Sequence, residues 1–221
     1  KTDGTLWAWG YNAQGQLGQN NETQYSSPVQ VGSDTTWSSI SWASGNNSAF
    51  AIKTDGTLWS WGNAAGGVLG HNQSNYHPGV INNKSSPVQI PGTWSFMGTN
   101  GASTVYAVNT SGTLYAWGKG TSANIGDGEK VNRSSPVQIP GTTWSQVVGG
   151  QGNTVAVKTD GTLWTWGNNS YGELGQGQDG ELNMSSPTQV PGTTWSYVVG
   201  NLINHSVHAI KTDGTLWAWG R

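Results

Sequence analysis

The stretch KTDGTLWAWG occupies residues 1–10 and returns unchanged at residues 211–220. Variants of the same ten residues begin at Lys53, Asn109 and Lys158, so successive copies start 52, 56, 49 and 53 residues apart. Self-similarity at a period of about 20–50 residues is typical of solenoids, propellers and other repeat arrays. We therefore interpret residues 1–221 as a single array. Its repeats span approximately 1–52, 53–108, 109–157 and 158–210, with a partial copy at 211–221.

The second half of this stretch, Thr-Leu-Trp-Ala-Trp, has the alternation of a β-strand. Leu6 and Ala8 lie on one face, Trp7 and Trp9 lie on the other, and both faces are apolar. A strand of this kind must be covered on both sides, as happens when sheets stack face to face. The aromatic residues of this core strand are therefore predicted to form the core: Trp7, Trp9, Trp59, Trp61, Trp117, Trp164, Trp166, Trp217 and Trp219.

The first half, Lys-Thr-Asp-Gly, predicts a tight hairpin turn between the core strand and a small-residue apolar strand before it, such as residues 49–52. Aspartate tolerates the turn conformation, and glycine supplies the positive φ that closes it. The predicted turn glycines are Gly4, Gly56, Gly112, Gly161 and Gly214.

Two further strands complete each repeat. One begins at a Trp-Ser pair, as at Trp144, and the other follows Ser-Ser-Pro, with a proline such as Pro136 at its start. Four short strands per period predict an all-β fold of four-stranded antiparallel β-propeller blades. We expect four full blades at about 27–62, 86–118, 135–167 and 186–220, with one extra strand at 5–9.

One repeat carries a more detailed signature. It contains Trp144-Ser-Gln-Val147, Gly150, Asn153-Thr154, Asp160-Gly161, Leu163, Trp166-Gly167-Asn168 and Gly172-Glu-Leu174-Gly175. This pattern resembles the blades of the regulator of chromosome condensation repeat family. Members commonly have seven blades, so the resemblance implies a part of a larger propeller, or ends covered by a second chain. Nucleotide exchange on a small GTPase belongs to some members, but no motif here carries that activity over.

The composition excludes several classes of function. A net charge of -2 and a pI near 6.0 provide no basic surface for nucleic acid. No apolar run approaches 18 residues, which argues against membrane insertion. The absence of cysteine removes disulfides and thiolate metal sites. We expect no cofactor.

Catalytic and metal-binding patterns are also weak. Four aspartates belong to the repeated turn, and neither a phosphate-binding loop nor a triad can be singled out, so we expect no enzyme. The acid-Gly-acid pairs Asp127/Glu129 and Asp179/Glu181 fit either a calcium loop or, as we favour, a solvated turn. We interpret the histidines as blade or contact residues rather than as ligands of a zinc site.

The loops before Ser-Ser-Pro vary, at residues 19–25, 71–84, 127–133 and 176–184, and the second is the longest. Variable loops on a constant scaffold are where repeat proteins differ in function. His71, Asn75, Tyr76 and His77 are predicted to contact a partner, as is Trp42, which lies outside the repeated tryptophan pattern.

We expect a non-catalytic interaction module that binds a protein or glycan through these loops. Adhesion or receptor binding on a phage virion or bacterial surface is the favoured setting, although the composition does not fix a compartment. The alternatives are a lectin-like carbohydrate binder and a guanine-nucleotide exchange factor-like regulator.

Overall fold

The computed structural model describes residues 1–43, 47–73, 82–100, 103–177, 183–200 and 205–221. This part of the chain forms five antiparallel sheets, here called sheets I to V, and one short 3₁₀ segment at Ala65–Gly67. It contains no helix long and apolar enough to cross a membrane.

Sheet I pairs β1 (Trp7–Gly10) with β2 (Tyr25–Gln30). Sheet II consists of β3 (Trp37–Ala43), β4 (Ser48–Lys53), β5 (Leu58–Gly62) and β6 (Lys84–Ile90). Sheet III consists of β7 (Trp94–Thr99), β8 (Thr104–Asn109), β9 (Leu114–Gly118) and β10 (Arg133–Gln138). Sheet IV consists of β11 (Trp144–Gly149), β12 (Asn153–Lys158), β13 (Leu163–Gly167) and β14 (Met184–Val190). Sheet V consists of β15 (Trp195–Gly200), β16 (Ser206–Lys211) and β17 (Leu216–Gly220).

The first strands of neighbouring sheets meet one another. Thr99 Oγ1 on β7 donates a hydrogen bond to the Trp42 carbonyl on β3, at 3.1 Å. Gln146 Nε2 on β11 donates to the Val198 carbonyl on β15, at 3.0 Å. This convergence is expected at the inner edges of propeller blades, which radiate from a common axis. The fold is an all-β arrangement of propeller blades, as predicted.

The Ser-Ser-Pro strand closes the sheet before it, whereas the repeat pattern had predicted it as part of the next blade. Leu58 on β5 faces Ile90 on β6, and Leu163 on β13 faces Val190 on β14. The predicted blades at 27–62, 86–118, 135–167 and 186–220 were therefore wrong by one strand. A repeat pattern is cyclic and does not say where a sheet begins, so the pairing across the loop decides it.

The strand predicted at 5–9 as an extra strand is part of a blade. It corresponds to β1, which pairs with β2 and forms the outer half of a blade. The described strands leave sheet V without a fourth member. Three complete blades therefore lie between a two-stranded and a three-stranded sheet.

The Ser-Ser-Pro prolines lie inside the fourth strands rather than at their starts. Pro87 is the fourth residue of β6, and the pairing of β5 with β6 shifts register between Ser60 and Gly62. The same irregularity recurs in sheets I, III and IV. Proline lacks the N–H that a regular ladder needs, and a bulge on an outer strand accommodates this loss.

The core lies between successive sheets. Leu114 and Ala116 on one face of sheet III pack in the same cluster as Trp166 of sheet IV, and all three are fully buried. Burial of one such leucine stabilises a fold by roughly 1.5–3 kcal/mol. Trp61 and Trp117 occupy the equivalent buried positions in sheets II and III.

Two of the predicted core tryptophans are exposed instead. Trp9 is 59% exposed because the described chain places no sheet against the tryptophan face of sheet I. Trp217 is 49% exposed because β17 has no fourth strand beside it in the described chain. Four other tryptophans of the core strands are half-buried: Trp7, Trp59, Trp164 and Trp219. The packing of a repeated residue thus depends on its position in the array.

Candidate interaction site

A hydrogen bond that recurs between sheets fixes the scaffold. The loop after each core strand contains a Leu-Gly or Ile-Gly step, and the carbonyl before that step accepts the indole N–H of the next sheet. The pairs are Trp61 with Gln16 at 2.9 Å, Trp117 with Val68 at 2.7 Å, Trp166 with Asn124 at 3.0 Å and Trp219 with Glu173 at 2.8 Å. We call this bond the indole latch.

The hairpin turn also repeats its side-chain bonds. Asp55 Oδ1 accepts the backbone N–H of Thr57 at 2.9 Å and its hydroxyl at 2.7 Å. Thr57 Oγ1 in turn accepts the Trp59 indole N–H at 2.9 Å. The two bonds from Thr57 hold the pKa of the exposed Asp55 carboxyl below its usual value of 3.8. The turn glycine Gly56 has a φ of 81°, as the turn requires.

The lysine of this turn lies over two aromatic rings. Lys53 Nζ is 4.7 Å from the Trp37 ring centroid and 4.2 Å from that of Trp59. Lys158 and Lys211 repeat the arrangement in sheets IV and V, with all four distances between 4.4 and 4.7 Å. These are cation–π distances.

Sheet III departs from this arrangement at three linked positions. Asn109 stands where the other turns have lysine, Ser111 replaces the aspartate, and Tyr115 replaces the first tryptophan. Asn109 Oδ1 accepts the backbone N–H groups of Ser111 and Thr113, at 3.1 and 2.8 Å. The asparagine has therefore taken over the capping role of the missing aspartate. The aromatic pair Trp94–Tyr115 remains, edge to face, with centroids 5.4 Å apart.

A cleft opens at this point, between the outer parts of sheets II and III. Its volume is about 720 Å³, within the range of small-ligand sites. Residues that line it include His71, Asn72, Gln89, Trp94, Asn109 and Tyr115. The equivalent cleft between sheets I and II measures about 320 Å³. In that smaller cleft Lys53 pairs with Asp34 at 2.8 Å, beside Trp37 and Trp59.

His71 stands at the edge of the larger cleft, at the start of the longest loop. Its Nε2 lies 2.9 Å from Ser60 Oγ. Burial, and then the positive charge of Lys84, lower the pKa of His71 below its usual value of 6.5, so its imidazole is neutral at neutral pH. Of the other predicted contact residues in this loop, Asn75, Tyr76 and His77 lie outside the described residues.

Trp42 belongs to a different surface. It is 43% exposed on β3 and faces sheet I, where it lines a cavity of about 340 Å³ with Trp9 and Ile40. The inner strands that sheets II to IV have are missing from sheet I in the described chain. Trp42 lines the cavity between sheets I and II, and His71 lines the cleft between sheets II and III, so the structure does not bring them into one site.

Two acidic residues of the loops contact basic side chains. Asp127 Oδ2 lies 2.6 Å from Arg133 Nη2. The Glu173 carboxylate, which is fully buried, pairs with His205 Nδ1 at 2.7 Å and accepts the Tyr171 N–H at 2.8 Å. Asp179 and Glu181 fall outside the described ranges. The described residues contain no cluster of three or more His, Cys, Asp or Glu side chains suited to a metal ion.

The repeat pattern matches a known family model. The model described as "Regulator of chromosome condensation (RCC1) repeat" matches residues 3–52, 111–157 and 160–199, and a second model of that description matches 144–173. The chain belongs to the RCC1 repeat family. The Xenopus laevis protein "Regulator of chromosome condensation" is 30% identical over 131 residues, which cover 58% of this chain and 30% of the relative.

Solved RCC1 propellers have the same fold. Yeast RCC1 (Prp20), solved with Kap60, superposes with a TM-score of 0.76 at 20% identity, over 97% of this chain and 51% of that one. Prp20p of Saccharomyces cerevisiae in a second structure gives a TM-score of 0.73 at 19% identity, over 99% and 53%. This RCC1-repeat chain therefore spans about half the length of these solved relatives.

Proposed function

We propose that the chain is a non-catalytic interaction module that binds a protein partner through the loops between its third and fourth strands. The observation that supports this most is the position directly after the Leu-Gly or Ile-Gly step. Its side chain differs in type and contact in sheets II and III, whereas sheets I and IV share a glutamine with the same contact, and the indole latch beside it is constant. The four cases are Gln19 bonded to the Gln30 carbonyl, His71 to Ser60, Asp127 to Arg133 and Gln176 to the Gln189 carbonyl.

A constant scaffold with variable connections is the usual design of repeat proteins that bind macromolecules. Yeast RCC1 was solved bound to Kap60, and Prp20p is described with binding properties to Gsp1p and histones. These partners belong to those proteins, and they support a protein partner as the class for this chain.

A loop exchange tests the proposal. Replacing residues 71–84 with the shorter loop 127–133 should leave the scaffold intact, and the matched control replaces residues 176–184 with the same loop. Cross-linking and mass spectrometry first identify a partner of the unaltered chain. We expect the first variant to lose this partner and the control to retain it. Retention by both folded variants would overturn the assignment to the longest loop.

The finer proposal is adhesion or receptor binding on a phage virion or bacterial surface. Its support is compositional, since charged residues make up only 9% of the chain and Asn, Thr, Gly and Trp dominate the repeats. Fluorescently labelled protein should bind bacterial cells, and the 71–84 exchange should abolish this binding. A glycan array would show whether the receptor is a carbohydrate.

Nucleotide-exchange regulation is the second candidate, and the family membership favours it. The match to the frog regulator covers 30% of that protein. Accelerated nucleotide release from a small GTPase by the purified chain would support this function over plain docking. Unchanged release across a panel of candidate GTPases would argue against it.

A further inference from the structure

The aromatic pair of sheet III lacks the cation that its counterparts hold. In sheets II, IV and V a lysine ammonium lies 4.2–4.7 Å from both ring centroids, whereas in sheet III the turn residue is Asn109. We propose that the cleft between sheets II and III binds an alkylammonium group from another molecule between Trp94 and Tyr115. The inference rests on the proposed function in that it treats this cleft as part of a partner-binding surface.

The internal repeats locate the vacant position. In sheet IV, a Cβ built on Gly141 would lie 3.0 Å from Lys158 Nζ and 3.3 Å from the Trp144 ring, so the ammonium sits between this glycine and the aromatic pair. Gly92 is the corresponding residue, in a turn that is one residue shorter before the Trp-Ser strand, and a Cβ built on it would lie 3.1 Å from the Trp94 ring. Gly92, Trp94 and Tyr115 together line the cleft. The position that a lysine fills elsewhere therefore opens into the cleft.

The asparagine does not fill that position. Its Oδ1 is directed to its own turn, where it accepts hydrogen bonds from Ser111 and Thr113. The lysine-to-asparagine and aspartate-to-serine replacements are thus coupled, because Asn109 caps the turn that the aspartate caps in other repeats. The turn stays formed while its cation is lost.

The electrostatics of the position suit a cation without a carboxylate partner. The ring face of an aromatic side chain carries partial negative charge and attracts an ammonium within about 6 Å of its centroid. Lys53 has Asp34 as an ion-pair partner, but among the described ion pairs neither Lys158 nor Lys211 has one. In sheets IV and V the ammonium therefore lies over the aromatic pair without a direct ion pair. Hydrogen bonds from threonine, and then the positive charge of the lysine, lower the pKa of the turn aspartate, Asp160 or Asp213.

The remaining charged groups place the ligand at the Trp94 side of the cleft. His71 is neutral at neutral pH and does not repel a cation there. Lys84 is positive and acts on His71, so an ammonium is disfavoured at that end. The cleft volume of about 720 Å³ exceeds that of the equivalent cleft, about 320 Å³, and accommodates an aliphatic chain behind the ammonium.

Titration with n-butylammonium chloride, followed by tryptophan fluorescence, tests the site, with n-butanol as the neutral analogue. We expect saturable binding of the amine and none of the alcohol. The double variant Asn109→Lys and Ser111→Asp restores the consensus turn and supplies an internal ammonium. It should weaken amine binding by about tenfold or more and raise the thermal midpoint, because the vacant position is filled. The matched variant Lys158→Asn and Asp160→Ser should create a second amine site in sheet IV.

Equal binding of amine and alcohol, or undiminished amine binding by the folded Asn109→Lys and Ser111→Asp variant, would overturn the proposal. The tripeptide acetyl-Gly-Lys-Gly-amide distinguishes the source of the ammonium. Binding about tenfold tighter than that of n-butylammonium assigns a lysine of a protein partner, and equal binding assigns a free amine. Because these titrations need no partner, they can succeed even if the loop exchange shows that residues 71–84 bind nothing.

Discussion

Sheets IV and V share the sequence Lys-Thr-Asp-Gly-Thr-Leu-Trp in the turn and core strand, and yet their leucine faces differ. Leu163 is fully buried, whereas Leu216, at the same position of the repeat, is 68% exposed. Leu163 faces Val190 on the fourth strand, and sheet V covers the same side. Leu216 has neither cover in the described chain. The same residue is therefore core or surface according to whether another sheet packs beyond it in the array.

The contacts within the turn do not differ in this way. Thr162 and Thr215 bond to their aspartates with nearly equal distances, and Lys158 and Lys211 lie equally close to their ring pairs. Turn geometry is thus local to one repeat, while burial is a property of neighbouring repeats. This division agrees with repeat-protein energetics, in which intrinsic and interface terms are separate.

The largest effect is expected for the tryptophan of the indole latch. Trp166→Ala should destabilise the protein by about 3–5 kcal/mol, because the ring is fully buried between sheets III and IV. Trp219→Ala, in half-buried surroundings, should cost roughly 1–2 kcal/mol. Denaturant unfolding monitored by circular dichroism measures both. Equal costs would show that the two sheets are covered alike.

The second comparison uses the leucine face directly. Leu163→Ala should cost about 2–5 kcal/mol, since it removes a side chain packed against Val190. Leu216→Ala should change stability by less than about 0.5 kcal/mol, because its side chain is on the surface. A cost above about 2 kcal/mol for Leu216→Ala would mean that another molecule or segment covers β17 in solution.

The smallest effect concerns the turn aspartates, and here the two sheets should agree. Hydrogen bonds from threonine lower the pKa of Asp160 and of Asp213 below the usual value of 3.8. A lowered folded-state pKa contributes stability above the unfolded value, and this contribution is lost as the pH falls through the folded value. Asp160→Asn and Asp213→Asn should therefore each reduce, to a similar small extent, the loss of stability on acidification below about pH 4.

Thermal melts at neutral and acidic pH provide this measurement. The turn of sheet III has Ser111 in place of the aspartate, so it has no carboxylate to titrate and does not contribute to this pH dependence. A clearly larger effect at Asp160 than at Asp213 would contradict the idea that the turn is local to one repeat.

Much of the fold could be predicted from the sequence because it depends on short-range patterns. Alternation at 5–9 predicts the core strand, and Asp-Gly predicts the turn, since both are decided within a few residues. The grouping of strands into sheets was predicted wrongly, because a cyclic pattern contains no mark for the edge of a sheet. The exposure of Trp9 depends on the absence of a covering sheet in the described chain, and one repeat does not contain that information.

The candidate site was visible in part. The Asn-Thr-Ser-Gly variant of the turn marks the third repeat as different, and His71 marks the longest loop. Their proximity to one cleft depends on the packing of sheet II on sheet III. The burial of Glu173 against His205 joins residues 32 positions apart and has no short-range signal. Its counterparts in other repeats are Gln16, Val68 and Asn124.

That variety has a consequence for how such an array evolves. The indole latch uses a main-chain carbonyl as its acceptor, and every amino acid supplies one. A mutation of the side chain at this position leaves the bond between blades in place. Evolution can therefore change this buried side chain one repeat at a time, as the four residue types show, while the bond that joins neighbouring blades is kept.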